Sequence, residues 1–396
     1  MHYVKRFAAL AAVAMASALS VAQAQEVIKV GISAPMSGAA ANWGLGMDWA
    51  AKAAADEINA AGGVTVGGKK YKFEVISYDN KYNAADGIKV AQTLISRDKV
   101  RYIIGAIGTA PVLAMQPLAD RTNVLMFQSA WGKSLKGDSH PLTFTTSNSP
   151  YEILRPLYSN IKAQHPGIKT VAFLNPNDAT GKEMLPEAKA VWESLGVKVI
   201  SENWYERGTT QFQPVAAKLA AAKPDVIDLG VTPPADAGVV FKELAVLGTS
   251  SVKVVPVATN AEQMVQIGGK AVDDVYMGFS GDYGGKLASA KQRSLNQGMK
   301  KAIGEALNPL QLSSYDGLYA LKAGIEAAQS LDSKEVAKAL PKIVFDTSYG
   351  KTAFGGATTY GTAQQLLIPV ILTQIKAGKL VELARTVPDE LKQRLR

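Results

Sequence analysis

The stretch Val27-Ile28-Lys29-Val30-Gly31-Ile32 is followed by Ser33-Ala34-Pro35-Met36-Ser37-Gly38 and then by GLGMDWAAKAAADEINA over residues 44–60. It reads as strand, loop and helix. Val27 to Ile32 is rich in the β-branched residues that strands favour. Ser33 to Trp43 carries the Gly, Ser and Pro of a loop. Met47, Ala50, Ala54 and Ile58 then recur on one helical face, and Gly62-Gly63 supplies the glycine that follows a helix C-terminus.

The same unit repeats downstream. Strands are expected at Tyr71–Ser77, Tyr102–Ile104 and Val124–Phe127, with helices at Gly87–Arg97 and Pro111–Asp120. The rhythm restarts after Pro150 with a helix at Glu152–Gln164. Strands at Thr170–Leu174, Val197–Ser201, Asp225–Leu229 and Val252–Pro256 alternate with helices at Lys182–Leu195, Phe212–Ala222 and Ala235–Leu247. Such alternation implies parallel sheets covered by helices on both faces. Two runs of it predict two α/β lobes. Helices at Gln292–Leu307, Tyr315–Gln329 and Ser333–Leu340 and a hairpin around Ala377-Gly378 complete them. No flexible linker stands between the runs.

Composition agrees. The 396 residues suit two or three domains, and 47% hydrophobic with 19% charged residues is globular usage. Residues 1–24 read as a cleaved secretory leader: Lys5-Arg6, an uncharged stretch Phe7–Ala22, then Ala22-Gln23-Ala24. The stretch is short for a membrane anchor. The formal charge of +9 becomes about +7 without Lys5 and Arg6, with Lys and Arg spread along the chain, not clustered into a nucleic-acid-binding arm.

The chemistry that the chain lacks narrows its function. There are no cysteines and three histidines, His2, His140 and His165, which argues against metal centres, thiol chemistry and a Ser-His-Asp triad. Gly63–Lys69 is a near miss for a phosphate loop, with Lys70 where Ser or Thr should stand, and a tight turn fits it better. An exported, two-lobed chain with no coherent catalytic set points to a binder whose site is the cleft between its lobes. Loops after the carboxyl ends of the strands would line that cleft.

The residues also carry a family resemblance. Val30–Gly38, Trp43-Gly44 and Ala55–Gly63 resemble the opening of the leucine/isoleucine/valine-type periplasmic binding proteins, the solute receptors of branched-chain amino acid-type ABC importers. Ile104-Gly105, Tyr151, Gly181, Pro224-Asp225, Gly248, Ser314-Tyr315-Asp316 and the Gly378-Lys379 hairpin continue the likeness. It implies two Rossmann-like lobes joined by three crossovers that close on a ligand. The crossovers would fall near Thr145–Pro150, Gly278–Asp282 and Phe345–Gly350. The first lobe would comprise 25–146 and 279–345, the second 147–278 and 346–396. It further implies a small-molecule ligand, an inner-membrane permease as partner, a periplasmic monomer, and no cofactor, metal or catalytic residue.

On that resemblance the ligand-binding candidates follow. Trp43 offers an apolar wall, or packs as a core or hinge tryptophan. Gly108, Thr109 and Ala110 would hold a carboxylate by hydroxyl and backbone N–H, helped by the positive end of a helix. A plain N-cap is the other reading, and both can hold. Gln128, Ser129, Ala130 and Trp131 follow the next strand; Ser129 would donate to the carboxylate and Trp131 would narrow the pocket. Asp178 and Thr180, Thr232, and Asn260 come from the second lobe. Amino-acid receptors of this family place an acid after the strand ending at Pro256, to pair with the ligand ammonium. Here Val257-Ala258-Thr259-Asn260-Ala261 has none. The expectation is a carboxylate ligand without an α-amine, with an aromatic or apolar body. An amino-acid, amide or urea receptor, an extracytoplasmic hydrolase and the sensing domain of a receptor are the alternatives.

Overall fold

The computed structural model of the protein describes residues 25–396, so the leader expected at 1–24 lies outside the described residues. Seventeen strands build it: β1 (Glu26–Ala34), β2 (Val64–Val66), β3 (Lys69–Asp79), β4 (Tyr102–Ala106), β5 (Leu125–Gln128), β6 (Thr143–Thr145), β7 (Thr170–Pro176), β8 (Lys198–Tyr205) and β9 (Val226–Asp228) come first. They are followed by β10 (Val252–Val254), β11 (Tyr276–Met277), β12 (Phe345–Thr347), β13 (Gly350–Thr352), β14 (Phe354–Gly355), β15 (Gln365–Leu366), β16 (Val370–Lys376) and β17 (Lys379–Thr386).

Eight strands form the first sheet in the order β14-β15-β6-β5-β4-β1-β3-β2, and seven form the second in the order β17-β16-β11-β10-β9-β7-β8. The inner strands pair in parallel, as the alternation predicts. Antiparallel strands close three of the four edges, while β8 pairs in parallel with β7 at the fourth. Central strands β4 and β5 are buried along their whole length, which explains their unbroken apolar reading. The glycine-rich stretch beginning at Gly63 is the β2–β3 hairpin, with its turn at Gly67-Gly68.

The helix that opens the chain runs Ala41–Ala60, and Met47, Ala50, Ala54 and Ile58 do face the core. It begins a turn earlier than the loop reading of Ser33–Trp43 allowed. Gly44 explains the entry: its amide N–H donates to the Pro35 carbonyl at 3.1 Å, and a Cβ there would collide with that oxygen. The buried helix Pro309–Ala328 packs against it and is capped by Asn308, so it starts well before the expected Tyr315. The helix Ala261–Gly268, capped by Asn260, went unread in the sequence.

The late segment departs from the expected division. β14 and β15 fall within 346–396, yet they belong to the first sheet, with Gln365 paired to Thr145 on β6. The reason is aromatic packing: the Phe354 ring lies 6.1 Å from Phe127 and 4.9 Å from Phe144, inside the first lobe. The short helix Asp389–Arg394 also returns there, placing Leu391 against Ala353 and Leu367 while Glu390 accepts from the Gly356 amide at 2.9 Å. The chain therefore passes between sheets for the third time over residues 367–369, not at Phe345–Gly350. The three crossovers lie side by side. Asn148 donates to the Pro369 carbonyl at 2.9 Å, Phe279 bridges to Ile371, and the Ser280 and Thr373 hydroxyls are 2.6 Å apart.

Candidate functional site

The parallel strands of both sheets aim their carboxyl ends at the gap between the lobes, so the loops that follow them face one another there. Asn80 fixes this end of the first sheet. It is fully buried, its amide nitrogen donates to the carbonyls of Ser33 and Ile107 at 2.9 and 3.1 Å, and its oxygen accepts from the Tyr82 amide at 2.9 Å. One side chain thus locks three site loops together.

The helix Thr109–Arg121 begins at Gly108, whose φ of 92° favours glycine; a Cβ there would come within 2.7 Å of Pro111 Cγ. The first bond into this helix runs from the Val112 amide to the Gly108 carbonyl at 3.0 Å. The amides of Thr109 and Ala110 precede it and have no helical partner. Thr109 is fully buried and its hydroxyl oxygen accepts from Thr180 Oγ1 at 3.0 Å, leaving its own hydrogen free to donate. Two backbone donors, a hydroxyl and a helix N-terminus make an anion cradle on the first lobe.

The neighbouring candidates divide. Ser129 donates to Ser313, which itself donates to the Leu310 carbonyl, so the Ser129 proton is already committed inside the first lobe. Gln128 is likewise engaged, donating to Thr145 Oγ1 at 2.7 Å and accepting from the Ala130 amide at 2.5 Å. Ala130 packs into the core beneath the helix that Gly108 starts. Trp131 is different. It is 7% exposed, sits edge-on to Phe279 at 5.3 Å, and its Nε1 has no partner among the described residues.

Several contacts join the lobes. Trp43 Nε1 donates to Thr259 Oγ1 at 3.1 Å across the gap, and its ring meets Tyr82 edge-on at 6.0 Å. The amide and hydroxyl of Ser134 donate to Glu183 at 3.2 and 2.7 Å, and Lys300 pairs with Glu262 at 3.3 Å. The lobes are thus closed on each other in this structure.

The second-lobe candidates are largely self-satisfied. Asp178 caps the helix Ala179–Ser194, accepting from the Gly181 amide at 3.0 Å, and pairs with Arg207 through its other oxygen. The Arg207 guanidinium also lies over the Tyr82 ring at 4.7 Å, from the opposite lobe. Asp236 accepts from the Tyr205 hydroxyl at 3.2 Å, and burial holds its carboxyl above the usual range. Thr232 is buried in the loop after β9. Asn260 caps its helix through the Gln263 amide and donates to Glu305 at 3.1 Å; Glu305 also accepts from Asn42. A cavity of about 480 Å3 opens beside Asn260 between the lobes, bordered by Thr259, Glu262, Tyr283 and Lys300.

Tyr82, Arg207 and Glu305 were not among the sequence candidates. Tyr82 and Arg207 follow β3 and β8, strands whose loops the strand-end rule already marks. Applying that rule to every strand would have found both. Glu305 gave no signal, because it lies between helices.

This geometry is that of a two-lobed receptor with its site in the interlobe cleft. Residues 27–379 match the model of the periplasmic binding protein family, and the chain belongs to that family, in its branched-chain amino acid type. It is 23% identical over 345 residues to the leucine-, isoleucine-, valine-, threonine- and alanine-binding protein of Pseudomonas aeruginosa, covering 87% of this chain and 90% of that protein. A leucine-binding protein from Thermotoga maritima shares the fold at a TM-score of 0.78 and 19% identity, over 92% of this chain and 100% of that one. A solute-binding protein from R. palustris in complex with benzoate does so at 0.76 and 20%, over 91% and 97%. The protein is therefore a substrate-binding component of an ABC transporter.

Proposed function

We propose that the protein works in the periplasm as a monomer. There it captures a small organic acid that has no α-amino group and an aromatic or apolar body, and delivers it to its permease by lobe closure, with no bond made or broken. The fold itself is neutral on the ligand, since its relatives hold leucine or benzoate. The reading rests on one observation: the carboxylates that the second lobe brings to the cleft are already engaged. Asp178 is paired with Arg207, Asp236 takes the Tyr205 hydroxyl, and Asn260 stands where an acid would meet an ammonium. A buried ammonium without a counter-charge costs several kcal/mol. The first lobe keeps its anion cradle at Thr109 and Ala110, and Trp43, Tyr82 and Trp131 add flat apolar surface.

A second reading, an amino-acid receptor, has one feature in its favour. Glu305 bridges Asn42 and Asn260 at the cleft edge with two amide partners and no cation. The two readings part in a thermal-shift titration of refolded, ligand-free protein. A ligand at 100 times its Kd adds about 2.7 kcal/mol, enough to move the midpoint by several degrees. We expect shifts with benzoate and short aryl or alkyl carboxylates and none with leucine or valine. Shifts with leucine alone, abolished by Glu305→Gln, would establish the amino-acid reading instead.

A further inference from the structure

We infer that Trp131 is a polar specificity residue: its indole N–H donates to a second oxygen of the ligand, separate from the carboxylate held at Thr109. The inference rests on the organic-acid reading above and adds a requirement to it. The ligand carries a hydrogen-bond acceptor, such as a ring hydroxyl or carbonyl oxygen, at the end nearer the crossovers.

Trp131 Nε1 is buried and has no partner among the described residues. A buried donor left unpaired is costly, and native structures rarely tolerate one without a reason. Other unpaired side-chain atoms of the first lobe, such as those of Ser314 and Thr146, sit behind the strands, against Gly105 and Gly317. Trp131 lies in the loop after β5, which meets the second lobe where Ser134 donates to Glu183. On one side its neighbour Gly132 abuts Thr109, where a Cβ would fall 2.7 Å from the threonine methyl. On the other side its ring rests edge-on against Phe279 of the second crossover. The residue therefore lies between the anion cradle, which its neighbour Gly132 touches, and the second crossover, which its own ring touches.

The side chains flanking it in sequence cannot take its place as donors. The Ser129 proton goes to Ser313, and the Gln128 amide goes to Thr145. A ligand oxygen near the crossovers thus has one free side-chain donor in this loop. A site built to hydrogen-bond a hydroxyl strongly rejects the analogue that lacks it.

The test compares benzoate with its three monohydroxy isomers by calorimetry, on the mature protein and on Trp131→Phe. Phenylalanine keeps the flat ring and removes only the donor. We expect one hydroxy isomer to bind the unaltered protein about ten-fold tighter than benzoate. The substitution should erase that preference, so that all three hydroxy isomers then bind within about two-fold of benzoate. A preference that survives Trp131→Phe, or an equal weakening of all four ligands, overturns the inference and leaves Trp131 as an apolar wall. If none of the four binds the unaltered protein, the organic-acid reading falls and takes this inference with it. Should Trp131→Phe fail to fold, the indole N–H resonance of unaltered protein decides. It should move downfield with the preferred hydroxy isomer and not with benzoate, and an equal shift with both refutes the assignment.

Discussion

The two walls of the cleft handle charge in opposite ways. Around Gly108 the first-lobe wall is neutral and has donors to offer: the Thr109 hydroxyl, two amides at the start of a helix, and the Trp131 indole; Glu305 stands apart, at the cleft edge. The second-lobe wall is charged, but its charges are already engaged, with Asp178 paired to Arg207 and Asp236 accepting from the neutral Tyr205 hydroxyl. A carboxylate can therefore dock on the first wall without meeting a rival anion, and the second wall can close over it without leaving a charge unpaired. Recognition and closure are divided between the lobes.

The sharpest way to break this division is to unbalance the second wall. Arg207 is half-buried, and removing it leaves Asp178 unpaired and facing the bound acid. Arg207→Ala should weaken carboxylate binding about 100-fold by calorimetry, because an orphaned buried charge opposes closure as well as the ligand. Asp178→Asn should move affinity by only a few-fold, since Arg207 then has the ligand anion to face. Equal losses for the two variants would mean that the pair acts as a structural clamp and not as a neutralised charge.

The first wall is tested by its free donor. Thr109→Val keeps the shape and removes the hydroxyl that faces the ligand. A hydrogen bond to a charged group contributes roughly 1.5–3 kcal/mol, so affinity should fall at least ten-fold. Ser129→Ala should change ligand affinity less than two-fold, because its proton already serves Ser313. A larger effect at Ser129 than at Thr109 would return Ser129 to the role that the sequence suggests.

Behind the neutral wall the first lobe hides two titratable groups, and pH should expose them. Lys136 donates to Gln365 at 2.8 Å and lies 3.4 Å from the Tyr360 ring, with Glu152 and Lys133 as its charged neighbours. Burial pushes its amine down from 10.5 to about 7. Asp316 is buried and accepts from the Ser348 amide and hydroxyl, and burial pushes its carboxyl up from 3.8 to about 7. For Lys136 the unfolded chain binds more protons between pH 7 and 10.5, so stability rises with pH across that window. For Asp316 the folded chain binds more protons between pH 3.8 and 7, so stability falls as pH rises there. Thermal midpoints of ligand-free protein should lose the upper slope in Lys136→Met and the lower slope in Asp316→Asn. Unchanged slopes in both would show that water reaches these groups.

Much of this was legible because periodicity and strand-end loops are local. The opening strand, the core face of its helix and the terminal hairpin follow from short-range pattern. What escaped depends on partners distant in sequence. Nothing near Phe354 says that it will pack with Phe127 and Phe144 and draw β14 and β15 into the first sheet. Nothing near Ser129 or Asp178 announces Ser313 or Arg207, yet those partners decide whether each side chain is available to a ligand. Residue type marked the candidates, and hydrogen-bond accounting separated the free from the engaged.

Trp43 joins both walls. Its Nε1 bond to Thr259 forms only when the lobes meet, so it stabilises the closed state without touching the ligand's charge. A neutral bond of this kind contributes about 1 kcal/mol, and Trp43→Phe removes it while keeping an aromatic surface against Tyr82. Because the open state loses nothing, the cost should appear as faster ligand release by about five-fold, with the association rate unchanged. Thr259→Val should reproduce the change, and the double variant should add nothing further, as expected for two partners of one bond. Additive losses would mean that the Trp43 indole N–H acts on something other than Thr259, and would blur the division between the lobes.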